Sequence, residues 1–395
     1  MHKNVQRFLN EKFINAMDVE LMAEFLQRHP AVFGPLALSL RPENVYKERA
    51  QILMMLTSLN GPGAEVALEE LHRIATIAKD PAFGALRKRA ETHGIDIVPR
   101  DARLSSLDMR CITMRAFLRH PELFGEAEDW WALERHTAVA EYLATDGFEV
   151  FTDEQSRKQF EEAAAELYDE RYREPYCRAR WYEADGKVHV VITHGVLPVT
   201  TLRIDAGHEE CLTFREAKQD ILIFDPEDGR LQVGARGLEE KIRLRDLFAE
   251  MILGDAYLFH AREARHLYTL DRVWREGRKF RLVAPSIDIA DQRITDIEVR
   301  DGDNEKGWRV RVHDPEDAIR RYFESTHEED FGGAEIIGLT VRLGIFVNGK
   351  LRRKTVRIKP PSTASFARST GESIVLRFLQ VNGFCRGYFA QLLAC

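Results

Sequence analysis

Cysteine is scarce in this chain of 395 residues. The five, Cys111, Cys177, Cys211, Cys385 and Cys395, are odd in number, widely scattered and without a CxxC pair. That excludes a disulfide framework and fits unpaired thiols in a reducing compartment. Long apolar runs are missing too: none approaches the ~18 residues that a membrane helix needs. The first residues, MHKNVQRFLNEKF, carry charge throughout and lack the apolar core of a signal peptide. The expected location is therefore the cytoplasm, with no membrane partner. Several local signatures of chemistry are also absent. There is no GxGxxG and no GxSxG, and the sequence HEECL at His208 is not HExxH.

Charge is abundant: 31% of residues are Asp, Glu, Lys or Arg, and the net charge is −7. This predicts solubility, not wholesale attraction to nucleic acid or anionic lipid. The distribution is uneven. Residues 1–175 carry a net −8 and residues 176–395 a net +1, so the second part is free to hold local basic patches.

Helical periodicity dominates residues 1–175. Pro42 can open a helix whose face runs Val45, Arg49, Ile52, Leu53 and Leu56, with Arg49 breaking the apolar stripe. Asn60-Gly61-Pro62-Gly63 then stops the chain. Further helices are expected over about 64–78, 81–94, 106–119, 128–144 and 153–173. The last should bury Phe160, Ala164, Leu167, Tyr168 and Arg171. No repeat of about 34 residues is present, which argues against a helical solenoid. The polar stretch Ile95 to Ser106, containing Pro99, is a candidate subdivision within this helical region.

After Pro175 the texture changes to short alternating runs. Asp225-Pro226-Glu227-Asp228-Gly229 reads as a hairpin turn, and a helix from Leu238 to Ile252 closes at Gly254. Two more hairpins, at 294–312 and 337–358, share a pattern that suggests duplication. Between them Asp314 is the expected N-cap of a helix burying Ile319, Tyr322 and Phe323. The expected fold class is α+β: a helical region 1–175 and a mainly antiparallel β-rich domain 176–395.

Gly344 to Leu351 has the spacing of a phosphate-binding P-loop. Leu351 stands where the motif needs a magnesium-holding Ser or Thr, and Asn348-Gly349 is instead the signature of a type I′ hairpin turn. A two-residue turn pairs Val347 with Lys350, Val341 with Val356 and Leu339 with Ile358. One face then holds these apolar residues with Leu343 and Ile345. The other holds Thr340, Arg342, Arg353, Thr355 and Arg357, with Lys350, Arg352 and Lys354 near the tip. The guanidinium fork suits phosphate, so these six cations are the candidate nucleic-acid contacts. The plainer alternative is a charged face that keeps an exposed sheet soluble. A second basic stretch, Arg262 to Arg281, interleaves Tyr268, Trp274 and Phe280 with arginines, a pattern that also suits single strands; core aromatics with solvated neighbours explain it more simply.

For enzyme chemistry the best candidate is Glu216-Ala217-Lys218. On a strand, residues two apart share a face, so a carboxylate can hold Mg²⁺ while the lysine stabilises charge. Asp205 is the candidate second ligand, and Glu170 or Glu174 a third. The arrangement resembles the PD-(D/E)xK nuclease pattern, which implies Mg²⁺-dependent cleavage; the hairpin after Lys218 departs from that pattern. Asp205, His208, Glu209 and Glu210 match no zinc spacing and read as a solvated turn. Glu162, Glu166, Glu170 and Glu174 recur every four residues, as a solvated face or one that meets a basic partner. The leading functional expectation is a non-enzymatic binding or regulatory protein without cofactor, touching nucleic acid through the β-rich part and protein partners through the helical part. A metal-dependent nuclease and an interaction scaffold are the alternatives.

Overall fold

A computed structural model describes residues 11–33, 49–50, 52–54, 62–98, 108–136, 139–144, 147–173, 175–205, 208–227, 229–300, 307–312, 317–328, 330–347, 349–366 and 371–386. The expected helix start at Pro42, the stretch around Pro99, the cap Asp314 and the turn residue Asn348 lie outside the described residues. The chain forms two compact units, residues 1–132 with 200–213, and residues 133–199 with 214–395.

The first unit holds α1 (Glu11–Ala16), α2 (Val19–Gln27), α3 (Pro30–Phe33), α4 (Pro62–Ile77), α5 (Ala82–Thr92), α6 (Met109–Arg119) and the start of α7 (Pro121–Arg135). Cap chemistry sets two of the starts. Asp18 accepts the amides of Glu20 and Leu21 at 2.9 and 3.3 Å, and Asp108 accepts that of Arg110 at 2.8 Å. Phe25, Leu71, Leu86, Met114 and Phe124 fill the core, each contributing roughly 1.5–3 kcal/mol by leaving water. Arg49, which breaks its helix's apolar stripe, donates to the carbonyls of Asn15 and Met17 at 2.7 and 2.9 Å.

The second unit is built on one antiparallel sheet. Its elements are β1 (Ala140–Leu143), α8 (Glu154–Tyr172), β2 (Cys177–Ala184), β3 (Lys187–Asp205), β4 (His208–Asp225), β5 (Arg230–Gly234), α9 (Leu238–Leu253), α10 (Arg262–Arg265), α11 (Asp271–Glu276), β6 (Ile289–Arg300), β7 (Gly307–Arg311), α12 (Ala318–Thr326), β8 (Glu335–Val347), β9 (Lys350–Lys359), β10 (Thr363–Ser365) and α13 (Glu372–Val381). The strand order is β2-β3-β4-β5-β1-β10-β9-β8-β6-β7. The fold class is mixed α+β. Among the described residues no helix is long and apolar enough to cross a membrane.

The first 175 residues are only partly helical. The helix expected over 128–144 is α7, opened by Pro121 and ended at Arg135, followed by the strand β1. All four β1 residues are buried, so β1 shows neither a helical nor an alternating period. α8 buries Phe160, Ala164, Leu167 and Tyr168 as expected, but Arg171 is exposed and pairs with Glu239 and Glu240 at 2.8 and 2.9 Å. The helix after β7 starts later than Asp314: Asp317 is its cap, accepting the amides of Ile319 and Arg320 at 3.0 and 3.2 Å.

Two hydrophobic cores share this sheet from opposite faces. Along β1, Ala140 and Tyr142 join the core made with α8 and α9. The alternate residue Leu143 joins the core of the C-terminal strands, with α12 and α13. Neighbouring strands agree: Leu231 and Val233 of β5 belong to the first core, while Gln232 reaches Glu372 of α13 at 3.5 Å. Strand side chains alternate between faces, so the helices change sides at the middle of the sheet. The face covered by α8 and α9 in the first half continues, in the second half, as the outer face of β9, β8, β6 and β7.

Candidate nucleic-acid interface

The β8–β9 hairpin has the expected register. Val347 pairs with Lys350, Val341 with Val356 and Leu339 with Ile358. Gly349 has φ +72°, the left-handed conformation that a tight hairpin turn requires of a glycine. Leu339, Val341, Leu343, Ile345, Val356 and Ile358 are buried on the inner face. Arg342 lies across from Thr355, Arg357 from Thr340, and Arg353 from Gly344, on the outer face.

The strand beyond β8 completes that face. The two hairpins 294–312 and 337–358 join antiparallel through their first strands, β6 and β8. Arg293 of β6 stands directly across from Arg342, and Asp296 across from Thr340. Asp296 receives Arg309 and Arg311 of β7, each at 2.9 Å. Glu298 receives Arg357, with Lys359 at 3.6 Å and Arg309 at 3.6 Å. Burial raises the Asp296 pKa, but hydrogen bonds from Arg309 and Arg311 outweigh it and hold the carboxyl below its ordinary value. The face therefore has two ends. At one, Asp296 and Glu298 between them bind Arg309, Arg311, Arg357 and Lys359. At the other, Arg293, Arg342 and Arg353 gather around the side-chain-free Gly344, with Asp291 of β6 as the nearby acid.

The remaining three candidate cations, Lys350, Arg352 and Lys354, belong by strand parity to the inner face. Lys350 and Arg352 are exposed because they lie close to the turn. Lys354 is only 8% exposed. Burial lowers its pKa, Glu134 and Glu372 raise it again, and Arg352 adds to the lowering. It faces away from any ligand on the outer side. Phe346 and Leu351, which the cation pattern does not single out, are a cross-strand pair of the outer face, 42% and 54% exposed. Strand parity alone would have found them.

Lys218 and Glu216 share a face of β4, as their spacing requires, and bind each other at 2.8 Å. Asp205 ends β3, and its side chain lies outside the described residues. Glu170 is held by Arg243 at 2.6 Å. Among the described residues no three His, Cys, Asp or Glu side chains gather as a metal-ligand set. In the basic stretch Arg262 to Arg281, Tyr268 and Phe280 are core residues; Trp274 is half-exposed and donates to the Ala334 carbonyl at 3.2 Å. Glu162 pairs with Lys158 at 3.7 Å along the exposed side of α8.

A third ionisable cluster lies inside the first core. The Tyr168 hydroxyl donates to Asp220 at 2.9 Å, and His194 Nε2 lies 3.2 Å from the same oxygen. The His194 ring stacks on Tyr168 with centroids 3.7 Å apart and planes 7° apart. Tyr172 donates to Glu240, which also accepts the Gly237 amide at 2.6 Å. Burial above all, then the Asp220 charge, raises the Tyr168 hydroxyl pKa well above its ordinary value. These groups bind one another across α8, β3, β4 and α9, which is the arrangement of a structural network. No protein-family model matches the chain, and no curated protein matches it.

Proposed function

We propose that this is a cytoplasmic, non-enzymatic binding protein that holds nucleic acid on the outer face of β9, β8 and β6. One observation carries the reading: Arg342 has Arg293 directly across the ladder and Arg353 on the diagonal. Like charges directly opposite in a sheet are destabilising, and an anion seated over the grouping would offset that. Arginine's planar fork suits phosphate oxygens, and bound phosphates release counterions from the nucleic acid. The acids of the same face add a second argument. Asp296 and Glu298 are taken up by Arg309, Arg311, Arg357 and Lys359, so those four cations are already engaged by carboxylates. Arg353, on this face, is exposed.

The test is fluorescence anisotropy with labelled DNA and RNA oligonucleotides at low salt. The parent should bind, and Arg342→Gln with Arg353→Gln together should weaken binding about tenfold or more, since each tenfold corresponds to ~1.4 kcal/mol. The fold should survive, because the inner face is untouched. No binding by the parent, or unchanged affinity in the double variant, would mean that the face serves only to keep the sheet soluble.

A further inference from the structure

We propose that the bound nucleic acid is single-stranded, and that Phe346 with Leu351 forms the platform on which one of its bases stacks; this rests on the nucleic-acid reading above. Phe346 and Leu351 lie directly across the ladder from each other at the end of the hairpin, on the same face as Arg342 and Arg353. At 42% and 54% exposure they leave much of their apolar surface in water, whereas Leu343 and Ile345 on the inner face are fully buried. The outer pair thus adds little to either core. Among the described residues, what adjoins it on that face is polar, charged or bare: Arg353, Gly344 and Asp291 in the next row, then Arg342 and Thr355. Successive rows on one face of a strand are about 7 Å apart.

Gly344 matters to this arrangement. A Cβ built there would lie 3.5 Å from Leu351 Cδ1, so the leucine side chain leans over the bare backbone. The result is a low floor between Phe346 and the arginines, flanked by Leu351 on one side and Asp291 on the other. A base stacked on Phe346 would leave its flanking phosphates over Arg353 and Arg342.

The chemistry selects the ligand. A duplex keeps its bases stacked and offers a flat surface only phosphates and groove edges, against which an exposed aromatic is idle. A single strand offers a π-face at every base, and aromatic platforms beside a basic track recognise it without regard to sequence. Charge complementarity argues against an apolar protein segment as the occupant, since the platform opens onto guanidinium groups.

The experiment compares a labelled oligothymidylate with a duplex carrying the same number of phosphates, titrated by the parent, Phe346→Ala and Phe346→Trp. Phe346→Ala should weaken the single strand about five- to a hundredfold, the range expected for losing one base–aromatic stack. The slope of affinity against salt should not change, because no phosphate contact is removed. Phe346→Trp should keep the parent affinity, and duplex binding should be the same in all three proteins. Equal loss of single strand and duplex in Phe346→Ala, or no loss in either, overturns the platform while leaving the basic face standing. Failure of the parent to bind either probe overturns both. Because Phe346 lies outside both cores, all three proteins should unfold at the same temperature, which separates a lost contact from a lost fold.

Discussion

Asp220 and Asp296 both stand at the centre of a linked set of ionisable side chains in the second unit, and the two sets are built in opposite ways. Asp220 is 4% exposed, and its partners Tyr168 and His194 are buried with it under α8. Asp296 is just as buried, at 3%, but its partners Arg309 and Arg311 reach out to water, with 44% and 63% of their side chains exposed. The difference follows from the change of sides in the sheet. The face that α8 and α9 cover in the first half carries no helix in the second among the described residues. A buried carboxylate whose partners are also buried cannot be released without stranding polar atoms, so it fixes structure. One whose partners are solvated holds a surface in place and leaves neighbouring cations available to a ligand.

Removing a member of each set should show whether the two differ. Asp220→Ala strands the Tyr168 hydroxyl and the His194 ring and should cost about 3–5 kcal/mol, read from urea unfolding at neutral pH. A loss below about 1 kcal/mol would remove the distinction between the two sets. Tyr168→Phe deletes one hydrogen bond to a charged acceptor and should cost about 1.5–3 kcal/mol in the same measurement.

The Asp296 set should show itself through pH. Its folded pKa is depressed below the ordinary carboxylate value, so its stabilisation is fully present above the unfolded pKa and disappears as pH falls through the folded one. Arg309→Gln weakens the depression, so between pH 7 and pH 2 the variant should lose less stability than the parent, and its loss should level off at a higher pH. Identical pH profiles would show that the pairing adds nothing. The cysteines make the mildest comparison between covered and open surface. Burial, with the charges of Glu161 and Asp220, pushes the Cys177 thiol up to about 12, and burial raises those of Cys111 and Cys385. In a Cys395→Ser background at pH 8, only Cys211, which is exposed, should react promptly with an aromatic disulfide reagent. Three further thiols should appear on unfolding.

The hairpin carrying the arginines was legible because a two-residue Asn-Gly turn and strict alternation leave one register. The same alternation also places Lys354 with Val356 and Ile358, on the covered side, so its removal from the contact set follows from parity. The pairing of β6 with β8 was not legible. It joins two hairpins across a long stretch of chain, and no turn specifies it. Asp296, Glu298 and Arg293 therefore could not be seen as neighbours of the arginines. β1 was hidden for a different reason. All four of its residues are buried, Glu141 among them with its carboxylate receiving the Tyr268 hydroxyl at 2.9 Å. A strand covered on both faces carries no period that would distinguish it from the end of a helix.

On the proposed function, Arg342 and Arg353 hold phosphate while Arg309 and Arg311 are already bound to Asp296. The direct measurement is the salt dependence of oligothymidylate binding for two double variants, Arg342→Gln with Arg353→Gln, and Arg309→Gln with Arg311→Gln. At about 0.7 counterions per phosphate of a single strand, the first pair should flatten the slope of log affinity against log salt by about 1.4, and the second should leave it unchanged. Equal slopes in the two variants, or a larger change in the Arg309 and Arg311 pair, would contradict the account.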